Sequence, residues 1–396
     1  MVQADSLPRQ TGQSSLPSSV PLLIVGGGIM GLWAAVKAER LGIDTLLIDV
    51  GRIGGGASGG LLGALMPHMP DRWSDKKQFQ FDALLSLEHE VRALEDETGL
   101  SAGYRRSGRI IPLPKPHLRP IAERHEREAT TNWSQQGQRF HWHVLDSTPV
   151  DGWVSADAGE AGFVHDTLAA RVSPRAFVSL LGARLKTAKH VRVLEGCTLS
   201  SLTDGVAQLK DGSQIAFDKA IIAAGYESFP LLSGALLPGT ERAIGQPVKG
   251  QAALLKADID PSLPVVFLNG LYIIPHEDGT VAIGSTSEED FDEPFSTDQK
   301  LDVLIAQARA VVPVLEHAPV IERWAGLRPK AIGRDPMVGS HPDHPRIIAL
   351  TGGFKVSFGL AHRLADAVLC EVEGKNMDIP ASFSLESHIR VLLGNI

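Results

Sequence analysis

The stretch LLIVGGGIMGLWAA, residues 22–35, decides the fold. An apolar run breaks at Gly26, Gly28 and Gly31, in the spacing G-x-G-x-x-G, and then resumes at helical spacing. The apolar residues before the glycines predict a buried strand, and the pattern after them predicts a helix. Strand, glycine turn and helix form the context in which this motif binds the pyrophosphate of a dinucleotide.

The three glycines serve different purposes in such a motif. Gly26 permits a tight turn, Gly28 lets the backbone approach the pyrophosphate, and Gly31 lets the helix pack close to the sheet. The helix then presents free backbone N–H groups to the anion, and we place Ile29 and Met30 among the cofactor-binding residues.

Asp49 supplies the second half of the dinucleotide fingerprint. Gly42 ends the predicted helix, residues 43–48 predict a second buried strand, and Asp49 follows directly. An acidic residue about 20 positions after the glycines can accept hydrogen bonds from ribose hydroxyls. The sequence therefore predicts an α/β, Rossmann-type domain.

A second glycine-rich loop, DVGRIGGGASGGLLGALMPHMP over residues 49–70, favours FAD over a nicotinamide dinucleotide. A nicotinamide-binding fold usually returns to strand and helix soon after its acidic residue, whereas this loop can wrap a second side of a longer cofactor. A flexible surface loop is the alternative. The predicted cofactor-binding residues of the loop are Arg52, Ala57, Ser58, Gly63 and Leu65.

Two later stretches predict strands that end at the same site. KAIIAAG, residues 219–225, is a buried strand ending in small residues, and RIIALTGG, residues 346–353, runs into glycines before a helix. Parallel sheets bind ligands at the carboxyl ends of their strands, and a helix N-terminus stabilises negative charge. The remaining predicted cofactor-binding residues are Leu199, Ala224, Gly225, Gly353, Phe354 and Lys355.

Between these pieces the pattern shortens to strand-like segments broken by Pro and Gly, which is typical of an antiparallel sheet. We therefore predict an α+β chain with two domains and a disordered N-terminal tail. The predicted ranges are 1–20 for the tail, 21–100, 165–241 and 336–396 for the FAD-binding domain, and 101–164 and 242–335 for the substrate domain.

Composition limits the partners. The chain has 396 residues, a net charge of −8 and two cysteines, Cys197 and Cys370. The charge argues against nucleic acid or an anionic membrane as a partner, and no apolar run approaches the roughly 18 residues of a membrane span. The cysteines give neither a disulfide framework nor a zinc spacing, which predicts a cytoplasmic protein. His141 and His143 lack a third ligand, so no metal is predicted.

Five features follow one another along the chain: VGGGIMG, Asp49, GGGASGGLLGALMP, AAG and TGGFKVSFGLA. With them the chain resembles the flavin-dependent D-amino-acid oxidase and glycine oxidase family, over essentially all of its length after residue 20. The similarity is most specific to glycine oxidase, in YIIPHEDGTVAIGST, AVVPVLEHAPVIERWAGLRP and GGFK. The resemblance implies FAD, hydride transfer from an amine-bearing carbon of a small amino acid or N-substituted glycine, and hydrolysis of the resulting imine.

The resemblance also implies roles for three side chains. Arg328 would pair with the substrate carboxylate, Tyr272 would hydrogen-bond the same group, and Lys355 would replace a family arginine near substrate and flavin. A guanidinium fork matches a carboxylate bidentately, which supports the first role. A structural ion pair is the alternative for Arg328. A covalent flavin is not expected, because no Cys directly follows Arg328 and no His lies between Ser58 and Gly63.

Departures from the family pattern leave other functions open. Gly270 stands where glycine oxidase carries a histidine, and Ser287 with Glu288 stands where an apolar residue is usual. The glycine-rich loop is also similar to the oxidase domain of the enzyme that trims carboxymethylaminomethyl-uridine in tRNA. A flavoprotein subunit of a larger dehydrogenase is a further alternative, and a homo-oligomer is possible.

Overall fold

The computed structural model describes residues 16–135, 137–233 and 242–394. The helices, in chain order, are α1 (Ile29–Leu41), α2 (Asp75–Thr98), α3 (Arg119–Asn132), α4 (Pro174–Lys186), α5 (Ser228–Ser233), α6 (Gln299–Val311), α7 (Ser357–Val372) and α8 (Leu385–Leu393). The strands are β1 (Ser19–Val25), β2 (Thr45–Ile48), β3 (Ala64–Leu65), β4 (Arg109–Pro112), β5 (Ser134–Gln135), β6 (Gln138–Arg139), β7 (Trp142–Leu145), β8 (Phe163–Asp166), β9 (Ala170–Arg171), β10 (Val191–Leu194), β11 (Leu199–Thr203), β12 (Val206–Leu209), β13 (Gln214–Ile222), β14 (Gly245–Lys256), β15 (Val265–Leu268), β16 (Leu271–Pro275), β17 (Thr280–Gly284), β18 (Val320–Ala331), β19 (Met337–Ser340) and β20 (Ile347–Thr351).

The first sheet is built around parallel strands in the order β10, β2, β1, β13 and β20. Strands β11, β12 and β19 extend it in the antiparallel sense. The carboxyl ends of β1, β2, β13 and β20 consequently lie at one edge, as predicted, and a ligand at this edge meets the loops that follow all four strands. The α/β fold class is confirmed.

Alternation along β1 buries both faces of this sheet. Leu22 and Ile24 pack in a core with α1, α2, α4 and α7, whereas Leu23 and Val25 pack in a second core with α5 and α8. Successive side chains of a strand point to opposite faces, so one short apolar run reaches both helical layers. This explains why the run at residues 22–25 is apolar at every position.

The turn between β1 and α1 has no room for side chains. Gly26 has φ +107°, and a Cβ placed there would lie 2.5 Å from the carbonyl oxygen of Ala223. A Cβ on Gly31 would lie 1.9 Å from the carbonyl oxygen of Gly26. The glycine spacing is therefore required by the close approach of α1 to the ends of β1 and β13.

The second sheet has the strand order β18, β14, β17, β16, β15, β4, β8 and β7. Its pairs are antiparallel except for β4 and β15, which run parallel. One face packs in a core with α6, and the other carries Ala252, Val265 and Ile274 against Leu61. The expected antiparallel sheet is present, with one parallel pair inside it.

The predicted boundaries need adjustment. The predicted tail ends too late, because Ser19 and Val20 belong to β1 and pair with Ala216 and Phe217 of β13. Residues 1–15 lie outside the described residues, as do residues 234–241. A domain boundary before residue 165 would cut β8, which continues to Asp166. The division into two domains stays a prediction, and the membership of the two sheets supports it.

Within the described ranges, no helix is both long enough and apolar enough to cross a membrane.

Replacing Gly31 tests the close packing of α1. We expect Gly31→Ala to lower the free energy of unfolding by about 1–3 kcal/mol, because the new methyl group overpacks against backbone that cannot move aside. The protein should also retain less FAD. Gly56→Ala is the control for stability, with both variants compared without FAD because Gly56 belongs to the second glycine-rich loop; Gly56 has φ −86° and no atom within 4 Å of its added Cβ. Equal thermal stabilities for the two variants would contradict the conclusion that α1 packs too closely at Gly31 to admit a side chain.

Candidate active site

A cavity of about 1260 Å³ lies between the carboxyl edge of the first sheet and the open face of the second sheet. This volume exceeds the roughly 300–1,000 Å³ of an ordinary small-molecule pocket, so there is room for a dinucleotide together with a small substrate. The wall includes the glycine turn of β1, the loop after β2 and the turn before α7. The cavity joins the stretches that the sequence singled out.

The N-terminus of α1 forms one end of the cavity. Gly28 is the N-cap and provides no side chain, and the first-turn N–H groups of a helix lack intrahelical acceptors. The N–H of Ile29 donates to Ser58 Oγ at 2.9 Å. Since the Ser58 hydroxyl accepts here, its own hydrogen is available to an anion. This arrangement suits a pyrophosphate.

Asp49 fixes the two loops at this end. Its Oδ2 accepts from the N–H of Gly27 at 2.6 Å, and its Oδ1 accepts from the N–H of Gly51 at 2.8 Å. A carboxylate has about four lone-pair positions, so each oxygen can still accept from a ribose hydroxyl. The position of Asp49 on the cavity wall is the one that the fingerprint requires.

Most predicted cofactor-binding residues line this cavity. They are Gly26, Gly28, Ile29, Met30, Asp49, Arg52, Ala57, Ser58, Gly63, Leu65, Leu199, Ala224, Gly225, Phe354 and Lys355. Gly31 and Gly353 do not line it. Gly31 packs on the Gly26 carbonyl, and a Cβ on Gly353 would meet Met30 Cε at 2.3 Å. These two glycines do not contact the cavity; they allow the turns beside it to pack closely against neighbouring protein atoms.

Arg328 of β18 lies in the wall without a counter-ion. Its Nη1 donates to Ser285 Oγ at 2.8 Å, and its Nη2 donates to the carbonyl oxygens of Thr286 at 2.5 Å and Lys249 at 3.4 Å. Its Nε is buried without a partner. Within the described residues no carboxylate forms an ion pair with Arg328, so the structural ion-pair alternative is wrong there.

Burial sets the electrostatics of Arg328. Desolvation lowers the pKa of its guanidinium to about 10, and the group is still charged at neutral pH. The ring of Phe354 lies with its centroid 5.3 Å from Arg328 Cζ. Bringing a cation into a half-buried wall without an anion costs free energy, and an anionic ligand would recover it. The site is therefore built for a negative group.

Tyr272 occupies the same face of the second sheet. Its register partners are Phe267 on β15 and Gly284 on β17, and cross-strand partners share a face. Its ring contacts Phe267 with centroids 4.8 Å apart. Burial raises the pKa of the Tyr272 hydroxyl, which makes it a donor at neutral pH, and it bonds no other group in the described part of the chain.

Lys355 lies in the turn before α7. Its Nζ is 5.5 Å from the centroid of the Phe354 ring, which also contacts Arg328, so the two cations share one part of the cavity. Desolvation by the cavity wall and then the charge of Arg328 lower the pKa of Lys355. Together with the N-terminus of α7, Lys355 makes this region positive.

The sequence did not predict several residues of the cavity wall. Ser285 holds Arg328. Of the positions noted as departures from the family pattern, Ser287 is exposed, and both Ser287 and the turn residue Gly270 lie outside the cavity. Arg109 lines the wall and forms a buried ion pair with Asp166 at 2.5 Å. A lone arginine at the start of the apolar run RIIPLP was the available signal for Arg109.

Two minor expectations can be compared with the structure. His141 and His143 do share a strand face and stack with ring centroids 5.0 Å apart. Among the described residues there is no group of three or more potential metal ligands. Cys197 lies in the loop between β10 and β11 and lines the cavity.

Comparison with known proteins identifies the family. Residues 22–367 match the DAO family of FAD-dependent oxidoreductases. The chain belongs to this family. FAD is therefore its cofactor, and the chain is an oxidoreductase, as the resemblance implied. The cavity fits FAD, because a side-chain-free helix N-terminus, a carboxylate at the position expected for ribose binding and a positive turn follow one another along its wall.

Individual relatives and solved structures agree with this membership. Glycine oxidase of Pseudomonas putida KT2440 is 30% identical over 359 residues, which cover 87% of this chain and 92% of that protein. The structure of glycine oxidase from Geobacillus kaustophilus gives a TM-score of 0.81 at 22% identity, covering 93% of this chain and 99% of that one. Iminodiacetate oxidase from Chelativorans sp. BNC1 gives 0.79 at 22% identity, covering 92% and 98%. The structural matches show a shared fold.

Replacing Asp49 tests the cofactor end of the cavity. We expect Asp49→Ala to raise the Kd for FAD by about 10- to 100-fold, because charge-assisted hydrogen bonds contribute about 1.5–3 kcal/mol each. Fluorescence titration of the apoprotein with FAD measures the change. Asp44→Ala is the matched control, since the Asp44 side chain is 73% exposed and contacts His190. An unchanged Kd for Asp49→Ala would place the ribose elsewhere.

Proposed function

We propose that the protein oxidises a small amino acid or an N-substituted glycine, and that the substrate carboxylate binds to Arg328. The observation that carries the proposal is the buried guanidinium without a counter-ion in the wall of an FAD-sized cavity. A carboxylate supplies the missing charge and matches the planar fork of the guanidinium. The second sheet, which contributes Arg328 and Tyr272, would then serve as the substrate domain.

The relatives support this choice of substrate. The Pseudomonas putida relative is named glycine oxidase, and one structural neighbour is named iminodiacetate oxidase. Both names denote amines that carry a carboxylate next to the amine-bearing carbon. The open anion site in this chain has the chemistry that such molecules require.

Arg328 and Tyr272 would orient the substrate. Ser285, Thr286 and Lys249 occupy three of the five N–H donors of the guanidinium, and the second N–H of Nη1 remains for a carboxylate. The protonated hydroxyl of Tyr272 can donate to the same group. Fixing the carboxylate holds the neighbouring amine-bearing carbon in one position, which is the main contribution that a protein makes beside a redox cofactor.

Lys355 and the N-terminus of α7 would supply the electrostatics. FAD, held at the carboxyl edge of the first sheet, would supply the hydride acceptor for oxidation of the amine-bearing carbon to an imine, which water would then hydrolyse. Positive charge at Lys355 favours the negative charge that accumulates in this region. No protein base is needed if the amine binds in its neutral form.

We also propose a cytoplasmic location. Cys197 and Cys370 are free thiols, which supports a reducing compartment.

Replacing Arg328 tests the proposed carboxylate site. We expect Arg328→Met to raise KM for the amino-acid substrate by about 100-fold or more, since removal of one partner of a buried charge pair costs about 2–5 kcal/mol. Bound FAD and thermal stability should not fall, because Arg328 has no carboxylate partner to orphan. Steady-state kinetics and a thermal melt measure both effects.

Arg323→Met provides the control on the same strand. Arg323 is 42% exposed and pairs with Asp302, so its loss should leave KM within about twofold of the wild type. Unchanged kinetics in Arg328→Met would reject the proposed role. A destabilised Arg328→Met protein that still turned over normally would instead indicate a structural role.

A further inference from the structure

The position of the Arg328 guanidinium depends on two chain segments. Every acceptor that it contacts belongs either to residues 285–286, directly after β17, or to Lys249 of β14. An arginine side chain has several rotatable bonds, so its planar fork is aimed only as well as these acceptors are fixed. Whatever holds the two segments together controls how the unused N–H donors face the cavity.

Glu288 holds the two segments together through its backbone. The N–H of Glu288 donates to the carbonyl oxygen of Lys249 at 3.0 Å, and the N–H of Lys249 donates back to Glu288 at 2.8 Å. The carbonyl oxygen of Lys249 thus receives bonds from both Glu288 and Arg328. This pair of bonds fixes Glu288 two residues beyond the segment that supports the guanidinium.

The Glu288 side chain fixes the same segment a second time. Its Oε1 accepts from the Thr286 hydroxyl at 2.5 Å and from Gln251 Nε2 at 2.9 Å. Thr286 Oγ1 in turn accepts from the N–H of Gln251 at 2.9 Å. Gln251 is fully buried, so this triangle of polar groups has little freedom to rearrange.

Lys300 neutralises the carboxylate from the outside. Glu288 is only 8% exposed, and its Oε2 accepts from Lys300 Nζ at 2.7 Å. Burial raises the pKa of Glu288, but hydrogen bonds from Lys300, Thr286 and Gln251 outweigh it, and the net pKa is lowered. Glu288 is therefore a charged acceptor at neutral pH. An apolar side chain at this position could accept no hydrogen bond at all.

We propose that Glu288 is a positioning residue for Arg328. Its carboxylate holds Thr286, whose carbonyl oxygen holds Arg328 Nη2, so the guanidinium is aimed at the cavity by an anion that never touches the substrate. This inference rests on the proposed function, because it concerns how well Arg328 binds a carboxylate. It also gives the departure at Glu288 a purpose in this chain.

The test compares two small ligands of the FAD-bound protein, glycolate and its neutral amide, glycolamide. Perturbation of the flavin absorbance on titration gives each Kd without turnover. We expect Glu288→Leu, which removes every acceptor, to raise the Kd for glycolate by about tenfold and to leave that for glycolamide unchanged. Glu288→Gln keeps one carbonyl oxygen for Thr286 and Gln251, so its Kd for glycolate should stay within about threefold of the wild type.

Two further variants keep the test decisive. Glu289→Leu removes an exposed carboxylate that pairs with Lys330 and should not change either Kd. Thr286→Val breaks the same link from its other end without a buried charge change. It should weaken glycolate binding like Glu288→Leu, even if the latter folds poorly.

The outcomes separate this inference from the proposed function. If the wild type binds glycolate and both Glu288→Leu and Thr286→Val bind it equally well, Glu288 does not position Arg328 and only this inference fails. Equal weakening for glycolate and glycolamide would indicate a general structural role and also overturn it. If the wild type shows no preference for glycolate over glycolamide, the carboxylate site itself is wrong and both proposals fail.

Discussion

The buried guanidinium of Arg328 lacks a carboxylate partner in the described chain, and this imbalance of charge constrains the architecture around it. Three neutral oxygens, from Ser285, Thr286 and Lys249, solvate the cation without neutralising it. Neutral acceptors hold the group in place but leave its charge available. The second sheet therefore has to keep β14, the end of β17 and β18 in fixed register, since each contributes to the cradle.

The first sheet meets this anion site from the other side. Its parallel strands end together, and the turns that follow them provide a bare helix N-terminus at Gly28, a carboxylate at Asp49 and the positive turn at Lys355. A molecule that spans the cavity meets N–H donors at its pyrophosphate end and cations at its other end. The first sheet thus contributes the cofactor site, and the second sheet contributes Arg328, which we propose orients the carboxylate of a small amino-acid substrate.

The sequence was most informative where backbone geometry leaves one choice of residue. Gly26 and Gly31 stand where an added Cβ would clash with backbone atoms, so the motif correctly predicted β1, α1 and a dinucleotide cofactor, and the second glycine-rich loop then pointed to FAD. It was least informative where a side chain depends on strands distant in the chain. Arg109, Ser285 and the Glu288 cluster could not be placed by spacing, because β4, β14, β17 and α6 come together only in the folded sheet. Ser285 and Ser287 both follow β17, and only the fold shows that Ser285 holds Arg328 whereas Ser287 is exposed.

We propose that the substrate binds through a carboxylate, which compensates the positive charge of Arg328. Anaerobic mixing of the FAD-bound protein with N-methylglycine and, separately, with N-methylglycinamide tests it most directly, because flavin bleaching reports the half-reaction whatever the natural electron acceptor. We expect N-methylglycine, or another α-amino acid of a small panel, to bleach the flavin at concentrations at least about 100-fold below those needed for the matching amide. Bleaching by the acid and the amide at equal concentrations, or by neither across the panel, would contradict it.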